Sequence, residues 1–190
     1  MSEKKFDPQK LEKLNNPQRL VDIPPAYIRD KLNMAGPGIL VEIGAGTAFF
    51  CTAFYQMFKP STIYACDISD VMIQWVAENI SSRYPAIVPV KTDEVAVPLE
   101  DGIADLVFMI NLHHELHNPL QTLEESFRLV KPGGGIFVVD WKKKDMPEGP
   151  PAEIRCLPEE VEEQMARAGF EKMMIDNELQ KHFLVVGRKG

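Results

Sequence analysis

Long apolar stretches are missing from this chain. No run approaches the roughly 20 residues a membrane-spanning helix needs, and Met1 to Pro8 contain no apolar core of the kind a secretion signal carries. Cysteine is scarce: Cys51, Cys66 and Cys156 show neither CxxC nor metal-ligand spacing, and the first two lie in apolar runs where thiols are commonly buried. These absences predict a cytoplasmic protein that is neither exported nor membrane-spanning. Basic charge is also in deficit, with 21 Lys and Arg against 28 Asp and Glu and a formal net charge of -7. That balance argues against a nucleic-acid partner, since phosphate contacts require a basic face. The one basic run, Lys142 to Lys144, reads as a solvated loop.

What is present suits one sizeable domain, since 190 residues at 45% hydrophobic content suffice for a packed core without covalent staples. Residues 1–35 read as two short helical segments, broken at Pro17 and at Pro24 and Pro25, that fold over the sheet formed by the rest of the chain. Ile39 to Ile43 is short and β-branched, as a buried parallel strand should be. Gly44 and Gly46 then allow a sharp turn and close approach of backbone to ligand. Phe49, Phe50, Ala53, Phe54, Met57 and Phe58 recur at helical spacing, which completes the strand, glycine loop and helix of a nucleotide-binding unit.

The alternation continues with a second strand over Thr62 to Cys66 ending at Asp67, a helix capped by Ser69 and running through Met72, Trp75, Val76 and Ile80, and a third strand over Ile87 to Lys91. Pro89 withholds a ladder donor, which predicts an edge position for that third strand. Ala104 to Ile110 makes a fourth strand, Asn118 and Pro119 open a helix that Lys131 to Gly135 stops, and Ile136 to Asp140 makes a fifth strand. The Pro-rich segment Lys142 to Pro158 is long enough to read as a functional loop. A helix over Glu159 to Ala168 ends at Gly169, and Phe170 to Asp176 with Phe183 to Arg188 forms a closing antiparallel pair. The whole reads as a doubly wound α/β sheet with helices on both faces and one reversed strand near an edge.

A dinucleotide site would set a small residue where Phe49 stands, so the nicotinamide reading fits poorly. Glu42 to Gly46 instead resembles the first motif of the class I S-adenosylmethionine-dependent methyltransferases, with Ala48 where that family often has a third glycine. Asp67 and Ile68 resemble the second motif, Thr92 to Glu94 followed by Val97 to Leu99 the adenine segment, Asp105 to His114 the fourth strand and the turn beneath the methionine part, and Leu129 to Gly135 the turn before the fifth strand. The resemblance covers roughly residues 37–188 and is strongest to small stand-alone enzymes of the group that includes quinone-biosynthesis and arsenite methyltransferases. It implies a seven-stranded, mostly parallel sheet of order 3-2-1-4-5-7-6 with strand 7 antiparallel. It also implies S-adenosylmethionine as cofactor, S-adenosylhomocysteine as product and a small-molecule acceptor. Glu42, Gly44, Ala45, Gly46, Asp67, Ile68, Asp93, Glu94 and Asn111 are the implied cofactor residues.

Asp67, about 20 residues past the glycine loop, suits the ribose hydroxyls, and Asp93 suits the adenine amino group. Glu42 either orients the loop through backbone N–H groups or faces the methionine end. His113, His114 and His117 do not form H-E-x-x-H, so no metal is expected. His114, ahead of His113, is the candidate general base. Trp141, Glu148 to Pro151 and Arg155 are expected to line the acceptor pocket, and Tyr27 and Arg19 are possible cofactor contacts left unassigned. The resemblance also disfavours an arsenite acceptor, because the arsenite relatives place a thiol just after the fourth strand and Asn111 to His114 lacks one. A binding module without turnover and a nicotinamide dehydrogenase are the competing functions.

Overall fold

The computed structural model describes residues 11–34 and 36–190, so the first ten residues of the expected N-terminal helical segment, and residue 35, lie outside the described residues. The chain runs through three short helices, α1 (Leu11–Leu14), α2 (Gln18–Asp22) and α3 (Pro25–Leu32), into β1 (Ile39–Ile43) and α4 (Phe49–Phe58). It continues through β2 (Thr62–Asp67), α5 (Asp70–Val76), β3 (Ile87–Lys91), β4 (Ala104–Ile110) and α6 (Pro119–Leu129). It ends with β5 (Val130–Trp141), α7 (Pro158–Arg167), β6 (Glu171–Asp176) and β7 (His182–Arg188).

The seven strands form one sheet of order β3-β2-β1-β4-β5-β7-β6. Its first five strands pair in parallel, and β7 runs antiparallel to both neighbours. Pro89 sits on the edge strand β3, where its missing N–H breaks no second ladder. Alternation along the strands divides the interior in two. Leu106 and Phe108 of β4 face Phe54, Phe137 and the N-terminal residues Ile23, Ile28 and Leu32. Val107 and Met109 face Leu123, Val161, Met165 and Phe183 on the opposite side.

Several elements differ from their sequence reading in extent. The helix after Ser69 gives way at Ala77–Ser81 to a wider π turn. β5 begins at Val130 rather than Ile136, because the glycines keep pairing: the N–H of Gly133 donates to the Lys189 carbonyl and that of Lys189 to Gly134. Among the described residues the N-terminal segment contains three helices where two were expected, since a helix follows Pro17 and Pro25 starts another. It is fastened to the far end of the sheet. The Tyr27 hydroxyl donates to Asp176 at 2.5 Å, Lys31 pairs with Asp176 at 2.6 Å, and Arg188 donates to the Leu32 carbonyl.

Candidate functional site

The strand order reverses between β1 and β4, and ligands of open α/β sheets bind beyond the strand ends at such a point. A cavity of about 1110 Å³ opens there, lined by the ends of β1, β2, β4 and β5 and covered by α2 and the loop after β5. Glu42, Gly44, Ala45, Gly46, Asp67, Ile68, Asp93, Glu94, Asn111 and His114 all lie on its wall.

The glycine loop is shaped by its two glycines. Gly44 has φ +70°, and a Cβ there would come within 2.6 Å of the Leu112 side chain; Gly46 has φ +54°. Ala48, at φ +57°, occupies the left-handed conformation at which glycine is the usual residue. Asp67 anchors the turn, its carboxylate accepting the Gly46 N–H at 2.8 Å and the Ser69 N–H at 2.8 Å. Burial raises its pKa, and those backbone donors oppose the rise.

Glu42 Oε2 accepts the Cys51 thiol of α4 at 2.8 Å, while the Gly46 N–H donates to Asp67. Burial pushes Glu42 up to about 8, with the Cys51 bond and the charge of Arg19 pulling the other way. Arg19 of α2 stands over this end of the cavity, with its guanidinium 4.8 Å from the Phe50 ring centroid and donating to the Leu14 carbonyl at 2.6 Å. Tyr27 is not on the wall, being committed to Asp176.

At the opposite side, the Glu94 carboxylate accepts the N–H groups of His117 and Asn118 at 2.6 and 2.9 Å and lies 3.0 Å from the His117 ring Nδ1. It thereby serves the start of α6 in place of the Asn118 side chain, which makes no capping bond. Asn111 adopts φ +56°, and its buried Oδ1 has no partner among the described residues.

The adjacent histidines diverge. His113 turns away toward α7, its Nε2 2.7 Å from Gln164 Oε1. His114 turns onto Asp140 at the end of β5, with its Nδ1 2.7 Å from Oδ1 and its backbone N–H 3.0 Å from Oδ2. Burial disfavours charge on the His114 ring, but the Asp140 hydrogen bond and charge, with Glu115, outweigh it and leave the pKa raised. The pair fixes a tautomer: Nδ1–H faces Asp140 and Nε2 keeps its lone pair.

The loop after β5 contributes Trp141, Pro147, Glu148, Gly149 and Pro150 to the wall. Arg155 does not face the cavity as expected. It is 4% exposed and ties the loop together from inside, donating to the carbonyls of Pro150, Lys142, Lys144 and Glu148. Lys181 closes the rim by pairing with Asp22 of α2 at 3.0 Å and with Glu148 of the loop at 2.7 Å. Sequence reasoning missed Asp140, read only as the last residue of a strand, and His182, which lines the cavity opposite Trp141.

Known proteins resemble this arrangement. Residues 41–138 match the family described as methyltransferase domain. A malonyl-[acyl-carrier protein] O-methyltransferase of Marinomonas is 28% identical over 110 residues, covering 58% of this chain and 40% of that protein. A demethylmenaquinone methyltransferase of Protochlamydia amoebophila is 28% identical over 105 residues, covering 53% and 43%. The chain spans less than half the length of these curated relatives. Among solved structures, a SAM dependent methyltransferase from Aquifex aeolicus superposes with TM-score 0.90 at 28% identity, covering 98% of this chain and 100% of that one. With the family match spanning half of its length and the sheet order that its motifs implied, the chain belongs to the methyltransferase-domain family.

Proposed function

We propose that the protein is an S-adenosylmethionine-dependent methyltransferase acting on a small-molecule acceptor and releasing S-adenosylhomocysteine. One observation carries this reading: the residues on the cavity wall suit the parts of that nucleoside in sequence. Asp67, beside the close-approach loop of Gly44, Ala45 and Gly46, offers a carboxylate to the ribose hydroxyls. Asp93 offers an acceptor to the adenine amino group, and Ile68 and Met72 give apolar wall beside it. Arg19 presents a positive charge to the carboxylate of the methionine end, and Glu42, largely protonated by burial in the free protein, is returned to its carboxylate form by the ammonium, with Asn111 Oδ1 a further acceptor beside it. The Glu94 backbone and carboxylate hold the loop and α6 together at the rim.

The bound cofactor supplies a sulfonium methyl whose displacement has a good leaving group, so alignment accounts for most of the rate. The protein's residues therefore position the acceptor and remove a proton where it carries one. His114, oriented by Asp140, accepts that proton at Nε2. Substitution His114→Ala should lower turnover of a protonated acceptor by roughly 10²- to 10⁴-fold while leaving cofactor binding intact. Release of S-adenosylhomocysteine from a library of small hydroxylated compounds is the test. Silence throughout such a library, with cofactor binding preserved, would favour a binding module instead.

A further inference from the structure

His182 is a polar side chain on the cavity wall with both ring nitrogens unpaired among the described residues. It opens β7 opposite Trp141 of β5 and is 1% exposed. Unpaired buried polar atoms are rare because each forfeits its hydration without return. The ring leans against Trp141 with centroids 4.3 Å apart. The charges that act on it are those of Asp140 of β5, Asp22 and Arg19 of α2, and its neighbour Lys181. Burial outweighs the two carboxylates and holds its pKa down at about 4. The imidazole is therefore neutral at physiological pH, with one N–H and one lone pair.

Its location places it across from the His114 ring. Alternation along β5 and β7 sends Trp141 and His182 toward the sheet face of Val139 and Leu184. Asp140, between Val139 and Trp141, points to the other face, that of Val138, where it holds His114. The two imidazoles thus approach the strand ends from opposite faces and line one cavity. Of the cations near this end, Lys181 at the rim is engaged with Asp22 and Glu148, Arg155 lies behind the wall on four loop carbonyls, and Arg19 of the wall donates to the Leu14 carbonyl and stands at the methionine end. Nothing in that set recruits a carboxylate or a phosphate. A neutral group that gives and takes one hydrogen bond matches a hydroxyl.

We propose that His182 is an acceptor-binding residue whose neutral imidazole takes a hydroxyl of a small uncharged molecule, held between the His182–Trp141 wall and the His114 ring. The inference rests on the methyltransferase reading, because it names the acceptor end of the same cavity. In the experiment, protein carrying ¹⁵N-histidine is saturated with S-adenosylhomocysteine and titrated near neutral pH with phenol, benzoate and benzylamine, single rings that differ in charge. Phenol should move the His182 ring nitrogens and bind wild type roughly five- to tenfold more tightly than His182→Phe, the loss expected for one hydrogen bond. His182→Asn, which keeps a donor and an acceptor, should recover most of that affinity, and both variants should bind S-adenosylhomocysteine as wild type does. Equal phenol affinity in wild type and His182→Phe overturns the proposal, as does absent phenol binding or a His182-dependent preference for benzoate or benzylamine. Failure of wild type to bind S-adenosylhomocysteine is a separate result that defeats the methyltransferase reading itself.

Discussion

Asp140 and His114 lie 26 residues apart in the chain, yet two hydrogen bonds join them, one from the ring Nδ1 at 2.7 Å and one from the backbone N–H at 3.0 Å. The contact arises from the sheet. β4 and β5 pair in parallel, so the turn after β4 and the last residues of β5 meet at the same edge.

This pair sets a pH dependence. The His114 pKa stands above the ordinary 6.5, so Nε2 is free to accept a proton only above that raised value. The acidic limb of the kcat/KM profile should therefore lie above pH 6.5. In Asp140→Asn the burial that opposes charge loses its main counterweight, with the charge of Glu115 remaining, and the limb should move to lower pH. A profile unmoved by Asp140→Asn would remove His114 from the chemistry.

Glu42 makes a stability prediction of opposite character. Its folded pKa of about 8 exceeds the 4.5 of an ordinary glutamate, so between those values the unfolded chain gives up a proton that the folded chain retains. Stability thus drains as pH rises through that window. Glu42→Gln lacks the drain, and its melting temperature in the ligand-free state should match wild type near pH 4.5 and exceed it increasingly toward pH 8. The same variant should bind S-adenosylmethionine more weakly, by roughly tenfold, because the ligand's ammonium favours the Glu42 carboxylate and glutamine cannot ionise to supply it.

Lys181 ties α2 to the loop after β5 through Asp22 and Glu148. The Glu148 side is exposed, and such pairs contribute little to global stability. Lys181→Met should leave the melting temperature within about two degrees of wild type. Amide exchange over residues 18–22 and 147–150 should nevertheless quicken, because the two covers of the cavity lose their shared anchor. Unchanged exchange there would show that each cover is held independently.

Arg19 should matter only to ligands carrying the methionine carboxylate. Arg19→Met is expected to weaken S-adenosylhomocysteine roughly tenfold or more, the range for hydrogen bonds to charged groups. It should leave 5′-methylthioadenosine, which lacks the amino-acid part, unaffected. Equal losses for both ligands would mean that Arg19 supports the wall rather than contacting the carboxylate.

Much of this arrangement is legible in local sequence. Pro89 marks an edge strand, Gly44 and Gly46 mark a turn that only small residues allow, and Ser69 caps α5 where its position predicts, accepting the Met72 N–H. What stays hidden is whatever depends on long-range pairing. His182 meets Trp141 only because β7 runs antiparallel beside β5, and neither residue carries a local sign of the other. Arg155 shows the converse: its charge and loop position suggest a ligand contact, but the loop's own unpaired carbonyls claim it first. Glu94 likewise reads as a cofactor residue, and the structure adds that its carboxylate holds the backbone at the start of α6.

The proposed grip of Asp67 and the glycine loop on a sulfonium nucleoside is tested most directly by calorimetric titration with S-adenosylmethionine, S-adenosylhomocysteine and NAD. Both sulfur nucleosides should bind with affinities that Asp67→Ala weakens by roughly a hundredfold, the loss of two hydrogen bonds to a charged acceptor, and NAD should give no heat. Tight NAD binding with no heat from either sulfur nucleoside would contradict it.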